Sequence, residues 1–205
     1  MDIRLNFINR SNDQDNSDVL VFQKNPATGF EELAMAWLVI RNCGRGDNHP
    51  FVYPQAMAVG CSDAWGNYTP RLVAQNGQLF HMIKNASGDV LQLAGDGNDP
   101  RAIQVRNDLS AGAIDVTIYK ADRPLAAKTG VMPAVTVSFQ FEPTIYIGVA
   151  SQIEQGQVIN SAIMSTINTE ISLLGIASAD IVMTGGGPGP KSTPFVFTLE
   201  NVGYA

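Results

Sequence analysis

Histidine occurs only as His49 and His81, and cysteine only as Cys43 and Cys61. A nucleophile–histidine–carboxylate site can draw on either ring, with a thiol or a serine as attacking group and Asp47 or Asp63 as the orienting carboxylate. The spacings that mark such sites are missing. There is no Gly-x-Ser-x-Gly, and neither cysteine carries a recognisable flanking signature. The sequence therefore reads as a non-enzyme, with a hydrolase using His49 or His81 as a lower-ranked alternative.

Four His and Cys residues without Cys-x-x-Cys or closely spaced histidines do not make a structural zinc site. Calcium takes oxygen ligands, and two loops offer them: Asp13 and Asp15 within Asn12–Asp18, and Asp96, Asn98 and Asp99 within 95–100. Neither fits an EF-hand, and the expected role of both is a solvated turn whose side chains bind their own backbone. No cofactor is expected. The run Gly185–Ser192 ends in Lys-Ser like a phosphate-binding loop. However, Pro188, Pro190 and Pro194 lead into a strand-like segment where that mechanism needs a helix, so a long surface loop suited to partner contact is expected.

Aromatic rings beside polar loops are the equipment of sugar recognition, in which a ring face stacks on the sugar and amides bond its hydroxyls. Two segments have this makeup: Trp65, Asn67 and Tyr68 beside Asp63, and Tyr53 beside Asp47 and Asn48. These seven residues are the expected ligand-binding set.

The elements that must position them read as strands. Val135, Val137, Phe139 and Phe141 alternate with Thr136, Ser138, Gln140 and Glu142, and the same period of two runs through Ile114–Ile118 and Ile3–Phe7. Further short apolar runs are separated by turn signals such as Asn25-Pro26, Gly66-Asn67 and Asn76-Gly77, as in a sandwich or jelly roll. From Val158 to Leu174, isoleucines recur at a spacing of four, as on a helix face. They also alternate with Ser161, Ser165 and Thr169, as in an amphipathic strand pair, so one short helix or a strand pair fits equally.

The chain also resembles itself. Asp18–Lys24 is similar to Asp115–Ala121, Pro50–Tyr53 to Pro143–Tyr146, Asp89–Leu91 to Asp180–Val182, and Ile103–Asn107 to Phe197–Asn201, in the same order. Leu5–Asn9 also resembles Ile103–Asn107, which makes the boundary near 103 soft. The expected fold is all-β: an internal duplication of two tandem β-sandwich-like units, 1–102 and 103–205, packed together or exchanging a strand.

Charged residues make up 16% of the chain and hydrophobic ones 45%, the balance of a soluble chain with a substantial core. The net charge of −6 with dispersed Lys and Arg excludes nucleic acid as a partner. The N-terminal residues show no basic region followed by an apolar one, which predicts cytoplasmic synthesis without a signal peptide, and any export by a non-classical route. Both cysteines are expected as reduced thiols. The leading functional expectation is a lectin-like recognition or assembly protein that binds carbohydrate or a protein surface, or associates with itself as a homo-oligomer. The alternative is a membrane-active, pore-forming protein that inserts the amphipathic segment 157–184.

Overall fold

The computed structural model describes residues 2–26, 33–167 and 169–205. The first stretch of chain supplies β1 (Ile3–Asn9), β2 (Asp18–Phe22), β3 (Leu33–Ala34), β4 (Leu38–Ile40), β5 (Asn48–Tyr53), β6 (Met57–Asp63), β7 (Leu72–Ala74), β8 (Gln78–Asn85) and β9 (Gly88–Asp96). The second supplies β10 (Ile103–Asn107), β11 (Ile114–Lys120), β12 (Arg123–Val131), β13 (Thr136–Phe139), β14 (Thr144–Ala150), α1 (Ser161–Thr166), β15 (Thr169–Ser172), β16 (Ile176–Gly186) and β17 (Thr193–Tyr204). The fold is all-β and sandwich-like. Among the described residues, no helix is long and apolar enough to cross a membrane.

The disputed isoleucine segment combines both of its readings. Asn160 caps α1 by accepting a hydrogen bond from the Ile163 backbone N–H at 2.8 Å. The helix ends at Ile167, and the chain then turns extended into β15. Asn168 lies outside the described residues. Ile159, Ile167 and Ile171 are buried in the core, whereas Ile163 within α1 is only partly covered.

The chain condenses into two compact units that do not follow the 1–102 and 103–205 cut. Unit one holds Met1–Gln23, Ala36–Gln55 and Pro143–Ala205, and unit two holds Lys24–Met35 and Ala56–Glu142. Unit one has two four-stranded sheets, ordered β17-β16-β1-β5 and β15-β14-β2-β4. Its core includes Trp37, just before β4, which meets the rings of Phe51 and Tyr53 on β5 edge-on at 6.2 and 5.5 Å and so joins the two sheets. Unit two has a four-stranded sheet β13-β10-β8-β9 and a five-stranded sheet β3-β12-β11-β6-β7. Here the link is the buried Lys128 of β12. Its ammonium donates to the Ser138 carbonyl of β13 at 3.1 Å and lies 5.4 Å from the Phe139 ring centroid.

The two units repeat one pattern. In each, a central strand pairs in parallel with one neighbour and antiparallel with the other: β1 with β16 and β5, and β10 with β8 and β13. In each second sheet, a glycine faces the middle strand: Gly148 pairs Leu20, and Gly60 pairs Thr117. The match extends to single hydrogen bonds around two buried asparagines. Asn9 Nδ2 donates to the Cys43 carbonyl at 2.7 Å and Asn107 Nδ2 to the Val131 carbonyl at 2.8 Å. Asn9 Oδ1 accepts from the Ser11 N–H at 2.9 Å and Asn107 Oδ1 from the Leu109 N–H at 3.0 Å. Their backbone carbonyls accept from Gly46 and Ala134, both at 2.7 Å, and these two residues have positive φ, 90° and 66°.

These equivalences correct the sequence correspondences. The match of Leu5–Asn9 with Ile103–Asn107 is structural, as is that of Asp18 with Asp115, which pair the equivalent Ala150 and Ser62. The other three matches join strands with different neighbours: Pro50 lies in β5 whereas Pro143 precedes β14, β9 is an edge strand whereas β16 is central, and β10 is central whereas β17 is an edge. The duplication is therefore β1, β2, β4 to β9 repeated as β10 to β17, with the repeat opening at β10. Each compact unit takes the first four strands of one copy and the last four of the other. Unit two has the strand order of unit one circularly permuted and inserted between β5 and β14.

Candidate functional site

The loop between β6 and β7 is organised by Asp63. Its Oδ1 accepts from the Trp65 and Asn67 backbone N–H groups, both at 2.9 Å, and its Oδ2 accepts from Asn67 Nδ2 at 2.8 Å. The Asn67 side chain, then the backbone N–H groups of Asn67, Trp65 and Gly66, hold the Asp63 carboxyl below its ordinary value. Gly66 sits at φ +85°, a conformation that disfavours a side chain. Below the turn, Thr69 closes the loop onto Cys61 by a backbone bond of 2.9 Å and a hydroxyl contact of 3.0 Å. On this fixed frame Trp65 is 86% exposed and Tyr68 80% exposed.

The second expected cluster separates. Asp47 and Asn48 line a cavity of about 310 Å³ in unit one with Arg41, Cys43 and His49. Tyr53 does not join them. It lies on the buried side of β5 at 2% exposure, packed on Trp37, and burial pushes its hydroxyl pKa up. Alternation along β5 turns Phe51 and Tyr53 inward and leaves Val52 half exposed, which removes Tyr53 from any surface site.

The nucleophile candidates are held neutral. Burial, and then the Asp47 charge, push the Cys43 thiol up; burial, and then Asp115, push Cys61 up to about 12. Both cysteines are free thiols. His81 Nδ1 lies 2.7 Å from Asp108 Oδ2, and its Nε2 is buried with no hydrogen-bond partner among the described residues, so no hydroxyl or thiol is placed for it to activate.

Of the calcium candidates, Asp13 and Asp99 are engaged by their own loops. Asp13 is pushed up by burial but more strongly down by its hydrogen bonds. Its Oδ2 accepts from the Ser17 N–H at 2.7 Å and its Oδ1 from the Asp15 N–H at 3.1 Å. Asp15 is exposed. Asp99 Oδ1 accepts from the Arg101 N–H at 2.9 Å. Among the described residues, no group of three or more His, Cys, Asp or Glu is placed to hold a metal ion.

Asp96, Asn98 and Asp99 instead form one wall of an open basin of about 880 Å³ in unit two. Gln104 of β10 and Ser138 of β13 form its floor, joined by a 3.0 Å hydrogen bond from Gln104 Nε2 to Ser138 Oγ. The Gln104 Oε1 accepts from the Asn98 N–H at 2.8 Å and latches the acidic loop down. A Cβ on Gly97 would collide with that oxygen, so a side chain there must displace the Gln104 amide or lift the loop, and either breaks the latch. On the opposite side Asn25 docks on the edge of β13: its Nδ2 donates to the Ser138 carbonyl at 3.2 Å and its Oδ1 accepts from the Gln140 N–H at 2.8 Å. Only the acidic loop of this basin is legible in the sequence, because the rest comes from β8, β10 and β13, which are distant along the chain.

Comparison of the chain with family models, with curated proteins and with solved structures returns no match.

Proposed function

We propose that this chain is a non-catalytic recognition protein that binds carbohydrate through the β6–β7 loop. The observation that carries the reading is the pair Trp65 and Tyr68, 86% and 80% exposed on a loop that Asp63 locks. Large rings kept in water are costly to hydrate, and a pyranose C–H face covers such a ring while its hydroxyls stay solvated or bond nearby polar groups. A loop already ordered also spares the ligand the entropy of ordering it.

Two tryptophans make the test direct, since Trp37 is buried and Trp65 exposed. A glycan array identifies ligands, and titration of a hit is followed by acrylamide quenching. Ligand is expected to shield Trp65, and Trp65→Ala is expected to weaken binding by roughly ten-fold or more, about 1.4 kcal/mol, well within what covering one indole yields. An array without a hit, or a hit whose affinity survives both Trp65→Ala and Tyr68→Ala, overturns the proposal. The same rings also suit contact with a second copy of the chain. Sedimentation at rising concentration separates that reading, because only self-association makes the apparent mass of the wild type grow while that of Trp65→Ala stays fixed.

A further inference from the structure

The basin on the four-stranded sheet of unit two is built from different residues, and from a different sheet, than the β6–β7 loop. Its inner wall carries Arg106, whose orientation is fixed from behind. Arg106 Nε donates to Asp108 Oδ1 at 2.6 Å, while Asp108 Oδ2 lies 2.7 Å from His81 Nδ1. The Nη groups of Arg106 have no protein partner among the described residues. A guanidinium held by its Nε and open at its Nη atoms offers directed donors of the kind that receive a carboxylate.

The latched loop lines the same basin with Asp96, whose carboxylate has no hydrogen-bond partner among the described residues, and with Asp99, whose Oδ1 is taken by Arg101. Thr136 and Gln140 on the β13 side add a hydroxyl and an amide. Only Leu79 and Pro26 supply apolar side chains, so an apolar ligand finds little to cover. Arg101 also lines the basin with its Nε 3.5 Å from Asp99 Oδ1, so two guanidinium groups balance two aspartates and a polyanion finds no excess of positive charge. What fits is one carboxylate surrounded by several hydroxyls. The volume, about 880 Å³, is enough for more than one sugar ring.

We infer that this basin is a separate binding site for a uronic-acid unit of an acidic saccharide, with the carboxylate on the Nη groups of Arg106 and the hydroxyls on Asp96, Asp99, Thr136 and Gln140. Asp108 acts here as a positioning residue. The site stands whether or not the β6–β7 loop binds sugar.

The test is an NMR titration of the full ¹⁵N-labelled chain with three probes at matched ionic strength: methyl β-D-glucuronide, methyl β-D-glucoside and sodium acetate. The glucuronide is expected to shift the amides of Arg106, Thr136 and Gln140, and to bind roughly ten-fold or more tighter than either other probe. Arg106→Gln should abolish that advantage, and Trp65→Ala should leave it intact. Glucoside binding as tightly as glucuronide overturns the role of the guanidinium. Acetate binding as tightly overturns the sugar, and an absence of shifts at these amides overturns the site. Should Arg106→Gln fail to fold, the wild-type shift map and a several-fold weakening of glucuronide binding at about 0.5 M salt decide the matter, with salt-insensitive binding counting against the inference.

Discussion

Asn9 and Asn107 are buried amides that satisfy backbone groups on both sides, Cys43 and Ser11 for one, and Val131 and Leu109 for the other. Replacing either by alanine strands a carbonyl and an N–H away from water, at a cost of roughly 1–3 kcal/mol each. Chemical denaturation of Asn9→Ala and Asn107→Ala should show each variant destabilising its own unit, and a variant as stable as the wild type would deny the asparagines this role. Asp63 makes a prediction in pH. Its carboxyl is held below the ordinary value of 3.8, so its ordering of the loop is fully present above that value and is lost as pH falls through the lower folded value. Amide exchange at Trp65 and Asn67 should rise over that acidic interval with the sheets still protected, and Asp63→Asn should exchange faster at neutral pH. Single-residue roles were only partly legible in the sequence. The turn at Asp63 follows from Asp, Gly and Asn at turn spacing, but the burial of Tyr53 depends on the phase of β5, which His49 and Pro50 obscure.

At the scale of elements, alternation located β1, β11 and β13 because one face of each is buried and the other is not. Strands β5, β6 and β12 were harder to see, since Pro50, Gly60, Pro124 and Gly130 interrupt their patterns. The basin was invisible for a further reason. Its wall depends on β9 ending where Gly97 can pass over Gln104, a contact fixed by pairing of strands and not by local spacing. Gly97→Ala should therefore push the acidic loop off its latch, with a cost of roughly 1–3 kcal/mol from overpacking. Exchange of the Asn98 N–H, now bonded to Gln104, reads this directly, and an amide that stays protected in Gly97→Ala would refute it.

At the scale of the molecule, the duplication was legible but its partition was not. Both copies carry equivalent registers, so β8 and β16 are alike as parallel neighbours for β1 and β10, and the sequence does not choose between the two pairings. Unit two consists almost wholly of the continuous stretch Ala56–Glu142, and this fragment is expected to fold alone with a cooperative melt. It should be less stable than in the whole chain, because the Asn25 contacts on β13 and the pairing of β3 with β12 are gone. A fragment without dispersed amide signals would contradict this. The permuted arrangement also bears on synthesis. As the chain leaves the ribosome, Ala56–Glu142 is finished while β1, β2, β4 and β5 still await Pro143–Ala205. During that wait the strands within reach of β1 and β2 are β6 to β9, their own copy's second half, which offer the same registers. A contiguous sandwich made from one copy is thus a rival nascent fold, and the pace at which unit two closes governs how often the rival captures the chain.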